Sequence, residues 1–368
     1  MSPTSPTIQR AKEFGNPVIR GDRATFIWEG KTAPHLISDL NGWEENPKPF
    51  KRLSSTPSTP LRTSIEPALP KSIWSASLTL PRDAYLEYAL YDPVSQKRFT
   101  DPLNSKSISN GLGSRNNFFY MPETMPSPFT LRRADVPNGA ITSHRVETGY
   151  LREDGEREIF LYRPPVKEPV PLLVVFDGQD YLQRGKLNTI VDNLIADKRI
   201  RPIAMAFLTN GGRWRNVEYF CSDATLHWLE KVVLPLAREQ LHLLDITQHP
   251  GAYCVLGTSA GGAAALYAGL RMPNYFGNVL TQSSVSAVDG MEFSTVDLIR
   301  YQQSREIKVW MDVGALDFLL EDNRRMKSLM EERGYNIAYR EFSGGHNYTA
   351  WRDDVWHGLE ALFPLVES

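Results

Sequence analysis

The stretch from Gly251 to Arg271, GAYCVLGTSAGGAAALYAGLR, constrains this chain more than any other. A short apolar run, Tyr253 to Leu256, meets Gly257-Thr258-Ser259-Ala260-Gly261, and an Ala-rich segment with high helix propensity follows at once. A strand that passes through a sharp turn directly into a helix implies a sheet covered by helices, with the serine at the apex of the turn. Such a turn holds its apical residue in a strained conformation, so the neighbours must be small. Gly257, Ala260, Gly261 and Gly262 meet that demand. The hydroxyl then stands clear of the sheet, and the first N–H groups of the new helix point toward developing negative charge. The pentapeptide alone reads equally well as a Gly-rich strand–helix corner; its surroundings decide.

With 368 residues the chain suits two domains better than one core. Charged residues make up 23% and the net charge is −2, so no electrostatic footprint points to nucleic acid or an anionic membrane. The opening MSPTSPTIQRAKEFG has no apolar core of a signal peptide, and no apolar run approaches a bilayer span. The two cysteines, Cys221 and Cys254, fit a reducing compartment, so the expected location is the cytoplasm. Cys254 lies in the strand before Ser259 and is expected to be a small buried hydrophobe. No H-E-x-x-H or clustered Cys/His spacing occurs, and no metal or cofactor is expected.

The two halves differ in texture. From Asn16 to Pro122, short β-prone runs (Ala24–Trp28, His35–Ser38, Ile73–Leu80, Leu86–Tyr91) are separated by turn residues, which predicts a small antiparallel sandwich. Ser54–Pro70, rich in Ser, Thr and Pro, reads as a loop. The expected division is a flexible 1–15, a β-sandwich over 16–122, a Pro-rich linker over 123–139 and a catalytic domain over 140–368. The second half alternates strands (Leu172–Phe176, Ile203–Leu208, the serine strand, Ile307–Val313, Asn336–Phe342) with helices (Thr225–Gln240, Leu319–Arg333, Ala350–Phe363). That order predicts an α/β fold with a doubly wound, mostly parallel sheet, whose reactive groups lie beyond the carboxyl ends of the strands.

A serine needs a base, usually a histidine oriented by a carboxylate. His346 follows Ser343-Gly344-Gly345 after the predicted strand ending at Phe342, on the same sheet edge as Ser259. The other histidines are worse placed: His227, His242 and His357 on or beside helices, His35 and His144 outside the central sheet, and His249 at the far end of the serine strand. The chain order serine, acid, histidine puts the acid after the intervening strand, which selects Asp317, with Asp312 and Glu321 as alternatives. Two N–H donors would complete the site: Ala260, and Gly178 or Gln179 in the loop after Leu172–Phe176.

Four ordered features then carry a resemblance: Asp177-Gly178-Gln179; Arg215-Asn-Val-Glu218 before Leu234-Pro235; Gly257-Thr-Ser-Ala-Gly-Gly262; and Gly344-Gly345-His346 followed by Trp351-Arg352 and Gly358-Leu359. The second half resembles the esterase D family of α/β-hydrolases, and the whole chain resembles the enterochelin esterases. In the first half Phe26-Ile-Trp28, Asp39-Leu-Asn-Gly-Trp43, Trp74, Leu80-Pro81, Glu87-Tyr88 and Asp101-Pro102 look like the immunoglobulin-like N-terminal domain of those esterases, related to glycogen-binding modules. The resemblance implies a serine esterase with Ser259, His346 and Asp317 as its triad. Arg215 and Glu218 match the family's Arg-x-x-Glu and are read as an ion pair fixing a loop beside the site, with Trp214, Arg215 and Tyr219 near the substrate. The implied partner is a small-molecule ester, foremost an ester-linked catecholate siderophore, although only Arg184, Lys186, Arg213 and Arg215 are cations near the motifs. The alternatives are a general or feruloyl-type carboxylesterase, and a carbohydrate-binding protein with a vestigial hydrolase domain. Trp43 is the one first-half tryptophan expected at a ligand surface. The first domain is expected to shape substrate choice rather than catalysis.

Overall fold

A computed structural model describes residues 6–55, 72–149, 151, 155–303 and 306–365. Most of the predicted Ser54–Pro70 loop lies outside the described residues. The chain divides into two compact units: Met1–Met125 with Leu316–Phe318 and Ser343–Asn347, and the remaining residues.

The first unit is built from two antiparallel sheets. One runs β1 (Val18–Arg20), β2 (Arg23–Gly30), β6 (Ser72–Thr79), β5 (Lys51–Ser55). The other runs β4 (Lys48–Pro49), β3 (His35–Ser38), β7 (Tyr85–Asp92), β10 (Arg115–Tyr120), β9 (Ser107–Ser109), with β8 (Lys97–Phe99) on β7. The period-2 pattern explains the layering. Ala24 and Phe26 face inward while Thr25 turns away to share a hydrogen bond with Ser77. The Phe26 ring meets Tyr88 of the other sheet edge-on, with centroids 4.8 Å apart, so both sheets close on one core. Leu316, far along the chain, belongs to that core. The start of the chain differs from the expected flexible tail. Pro6–Phe14 is a helix, because Ile8 and Ala11 fall one turn apart and bury against Val18, Ile27 and Ile73.

The second unit carries an eight-stranded sheet ordered β11 (Ala140–Glu147), β12 (Glu156–Arg163), β14 (Ala204–Leu208), β13 (Leu172–Val175), β15 (Cys254–Thr258), β16 (Asn278–Gln282), β19 (Lys308–Gly314), β20 (Asn336–Phe342). A small hairpin, β17 (Ala287–Val288) and β18 (Met291–Glu292), stands apart. β11 and β12 pair antiparallel, β12 is antiparallel to β14, and every later pair is parallel. The continuous apolar runs follow from burial on both faces. Leu172, Val174, Ala206 and Val255 join one core, while Leu173, Val175, Met205 and Leu256 join the other. Cys254 is fully buried and burial pushes its thiol well up, as a small core residue should behave.

Two expectations for this half change. Part of the stretch expected as a linker over 123–139 packs on the second unit: Phe129 joins the second core, and Asn193 Nδ2 donates to the carbonyls of Phe129 (2.8 Å) and Leu131 (2.9 Å). The helix predicted over Thr225–Gln240 is broken into Asp223–Trp228, a π-helical turn at Leu229–Val233, and Leu234–Gln240. Pro235 has no N–H to give the preceding turn, and the widened turn absorbs that loss. No helix among the described residues is long and apolar enough to cross a membrane.

Candidate active site

Ser259 sits between β15 and the helix Ala260–Arg271 with φ 55° and ψ −123°, a conformation that non-glycine residues rarely adopt. Four backbone hydrogen bonds hold it there. Its N–H donates to the Gln282 carbonyl (2.9 Å), and its own carbonyl accepts from Gly262 (3.0 Å), Ala263 (3.3 Å) and Val285 (3.3 Å). Gly257 makes the approach possible, since a Cβ there would lie 1.9 Å from the Gly261 carbonyl oxygen. Ala260 is the first residue of the helix, so its N–H lies at the positive end of the helix dipole.

Asp317 and His346 come three and four residues after the ends of β19 and β20. The two carboxylate oxygens of Asp317 lie 2.9 and 3.1 Å from His346 Nδ1. The Asp317 side chain is fully covered and that of His346 is 15% exposed, so the pair is shielded but the imidazole is reachable. The Phe318 ring lies against the imidazole at 4.6 Å. The other two candidate acids are engaged elsewhere. Asp312 is wholly buried within β19, accepts from Trp310 Nε1 (2.9 Å) and Gln282 Nε2 (3.1 Å), and burial drives its carboxyl well above the usual range. Glu321 pairs with Arg324 at 2.7 Å in the next helix.

Gly178 and Gln179 open the short helix Gly178–Gln183 just after β13, preceded by Asp177 at φ 52°. Asp177 organises this corner. Arg215 grips it bidentately (2.7 and 2.6 Å), Asn210 Nδ2 donates to it (2.7 Å), and its own N–H donates to the Tyr219 hydroxyl (3.1 Å). Arg215 and Glu218 are therefore not paired with each other, as the sequence reading had them. Glu218 instead receives both Nη atoms of Arg157, at 2.7 and 2.9 Å, with both side chains at most 5% exposed. β12 brings Arg157 to buried Glu218 on the helix Arg215–Tyr219, and no local spacing reveals it. Arg215 and Tyr219, expected at the substrate, spend their polar groups on Asp177, and Tyr219 is only 3% exposed. Trp214 is partly buried under Arg213 at 5.1 Å. Arg184 pairs with Asp180 and stacks on Tyr348 at 4.5 Å. In the first unit, half-buried Trp43 has its indole N–H on Asp39 (2.9 Å) and its ring under Arg98 (4.9 Å). No local signal singles out Asp177, Arg157 or Asp39 as individual residues, although Asp177 and Asp39 head the motifs Asp177-Gly178-Gln179 and Asp39-Leu-Asn-Gly-Trp43.

The chain is 24% identical to an iron(III) enterobactin esterase of Dickeya dadantii over 96% of its own length and 92% of the relative's. It is 23% identical to the iron(III) enterobactin esterase of Escherichia coli K12, over 73% of this chain and 68% of that one. Its fold matches the crystal structure of a ferric enterobactin esterase from Salmonella typhimurium with a TM-score of 0.74 at 18% identity, over 94% of this chain and 96% of that one. A ferulic acid esterase matches with a TM-score of 0.52 at 17% identity, over 61% of this chain and 97% of its own. The family model named Esterase matches residues 152–362, more than half of the chain. These 368 residues, with the strained serine turn, belong to the Esterase family and make an ester hydrolase.

Proposed function

We propose that the chain cleaves esters through a covalent acyl-enzyme, with Ser259 as nucleophile, His346 as base and Asp317 as the carboxylate that orients it. The observation that carries this reading is the covered Asp317 carboxylate on His346 Nδ1, which fixes the imidazole and makes Nε2 the working nitrogen. Ser259 Oγ attacks the ester carbonyl while its proton passes to Nε2. Collapse of the tetrahedral intermediate breaks the C–O bond, and that proton goes to the departing alcohol. Water then hydrolyses the acyl-enzyme by the same route. The N–H groups of Ala260 and of Gly178 or Gln179 are the donors assigned to the oxyanion.

The substrate class follows from the breadth of the likeness. Enterobactin esterases match over nearly the whole chain, first unit included, whereas the ferulic acid esterase matches only 61% of it. An ester-linked catecholate siderophore is therefore the leading substrate, and the first unit is read as the immunoglobulin-like domain of such esterases. A feruloyl-type aryl ester is the second reading, supported by the fold shared with the ferulic acid esterase. A side-by-side kcat/KM comparison of enterobactin, its ferric complex, methyl ferulate and p-nitrophenyl acetate tests the choice. Enterobactin or its complex should lead; equal, feeble rates on both would discard the siderophore substrate. Wild-type turnover by Ser259→Ala would discard the serine mechanism.

A further inference from the structure

A second buried carboxyl group lies beside the His346–Asp317 pair. Asp39 follows β3 directly, opens the turn Asp39–Asn41 and is 1% exposed. The turn is fixed locally: Asn41 Oδ1 accepts from the Ser38 N–H and Asn41 Nδ2 donates to the Leu36 carbonyl, both at 2.8 Å. The Asp39 side chain is thereby aimed inward. Its Oδ1 accepts from Trp43 Nε1 (2.9 Å), and its Oδ2 faces Asn347 Nδ2 at 3.4 Å. Gly345 packs so closely on Oδ2 that a Cβ at that position would come within 2.1 Å of it. Asp39 thus touches the residues on both sides of His346. The same segment is tied down by Ser343, whose carbonyl accepts from the Tyr85 N–H, and by Gly344, whose carbonyl accepts from the Leu316 N–H, each at 3.0 Å.

The surroundings are mostly acidic. Glu87, 1% exposed on β7, and Asp317 face the same space, and His346 is the nearby basic group. Arg98 lies over the Trp43 ring and reaches Asn116, which in turn donates to Glu87 (2.8 Å). Burial, then the charges of Glu87 and Asp317, raise the Asp39 carboxyl to about 7, against the opposing pull of the Trp43 hydrogen bond and His346. Asp39 therefore changes charge in the same range where a histidine base must lose its proton.

We propose that Asp39 is a positioning residue for His346: its carboxyl group, wedged against Gly345 and facing Asn347, sets the orientation of the imidazole and the pH at which it serves as base. The proposal rests on the reading of His346 as the base. A small misplacement of a base costs rate rather than affinity, because the substrate is held by other groups. An ionised Asp39 also favours the protonated imidazole by Coulombic attraction, so the acid limb of the activity profile carries its mark.

The test compares full-length wild type, Asp39→Asn and Asp39→Ala on p-nitrophenyl acetate across the range around neutrality, with folding checked by circular dichroism. Asp39→Ala should lower kcat by about tenfold or more with KM changed by less than about threefold. Asp39→Asn keeps the shape and the Trp43 bond, so it should recover most of kcat at alkaline pH. Its acid limb should move to lower pH by roughly half a unit, the expected sign when a neighbouring negative charge is removed. NMR titration of the His346 ring in the Ser259→Ala protein should show the same downward displacement on adding Asp39→Asn, without any need for turnover. Folded Asp39→Ala with wild-type kcat, or an Asp39→Asn titration superimposable on the wild type, overturns the proposal. If Asp39→Ala does not fold, the Asp39→Asn titration decides alone. Failure of the underlying reading would look different: His346→Ala would then retain activity, whatever Asp39 does.

Discussion

At the scale of single residues, the proposed mechanism divides the candidate site into groups that would react and groups that would hold them. Replacing Ser259 or His346 with alanine should reduce kcat on p-nitrophenyl acetate by about 1000-fold or more, because members of such a set act as a unit. Asp317→Ala should cost less than either, since the carboxylate orients and stabilises the imidazole but does not itself react. Stopped-flow and steady-state assays on the folded variants check the ranking, and an active Ser259→Ala protein would break it. Asp39 gives a prediction of another kind. In the folded protein its carboxyl keeps its proton up to about pH 7, while in the unfolded chain it ionises in the ordinary carboxylate range. Folding therefore loses stability as pH rises through that window. Asparagine does not titrate, so the Tm of Asp39→Asn minus that of wild type should grow from mildly acidic to mildly alkaline pH. A Tm difference that stays flat across that range would show that Asp39 is not held protonated.

At the scale of elements, the strand–turn–helix around Ser259 was legible because its requirements are local. Small residues, a short apolar run and an Ala-rich helix leave few other ways to fold twenty residues. The strand Asn336–Phe342 was legible for the same reason, and His346 could be placed from it. The hairpin of β11 and β12 was not read from the chain: β11 faces solvent along much of its length, so no buried run announces it. The consequence is Arg157, which β12 delivers to Glu218. That pair is almost wholly buried, at 5% and 3% exposure, so removing one partner strands a charge. Arg157→Met should destabilise the protein by about 3–5 kcal/mol in urea denaturation, and Arg157→Met with Glu218→Leu should recover much of that loss. If the double variant were as unstable as the single one, the stranded charge would not be the cause. Tyr219 and Arg215 teach the same lesson. Their spacing marked them as important, but only the position of Asp177 shows that both hold this corner.

At the scale of the whole molecule, the domain boundary drawn along the chain differs from the compact units. The segments Leu316–Phe318 and Ser343–Asn347 leave the sheet and belong with the first unit, taking Asp317 and His346 with them. On the proposed mechanism the first unit would bear on turnover itself and not on substrate choice alone. Leu316→Ala, at a core position 7% exposed, should cost about 2–4 kcal/mol and should lower kcat even for a small ester such as p-nitrophenyl acetate. Unchanged kcat in a measurably destabilised Leu316→Ala protein would return the first unit to a selectivity role. The sequence by itself determined the α/β class, the antiparallel first half and the strand–turn–helix around Ser259, and it narrowed the remaining site candidates to His346 and a short set of acids. Each of these depends on local periodicity, turn chemistry or chain order, which a linear reading contains. Only the tertiary structure decided that Asp317 rather than Asp312 meets the imidazole, that Arg215 and Glu218 have separate partners, and that Asp39 packs against the histidine segment. Those contacts join residues tens to hundreds of positions apart, and burial chooses among partners that are equivalent on paper.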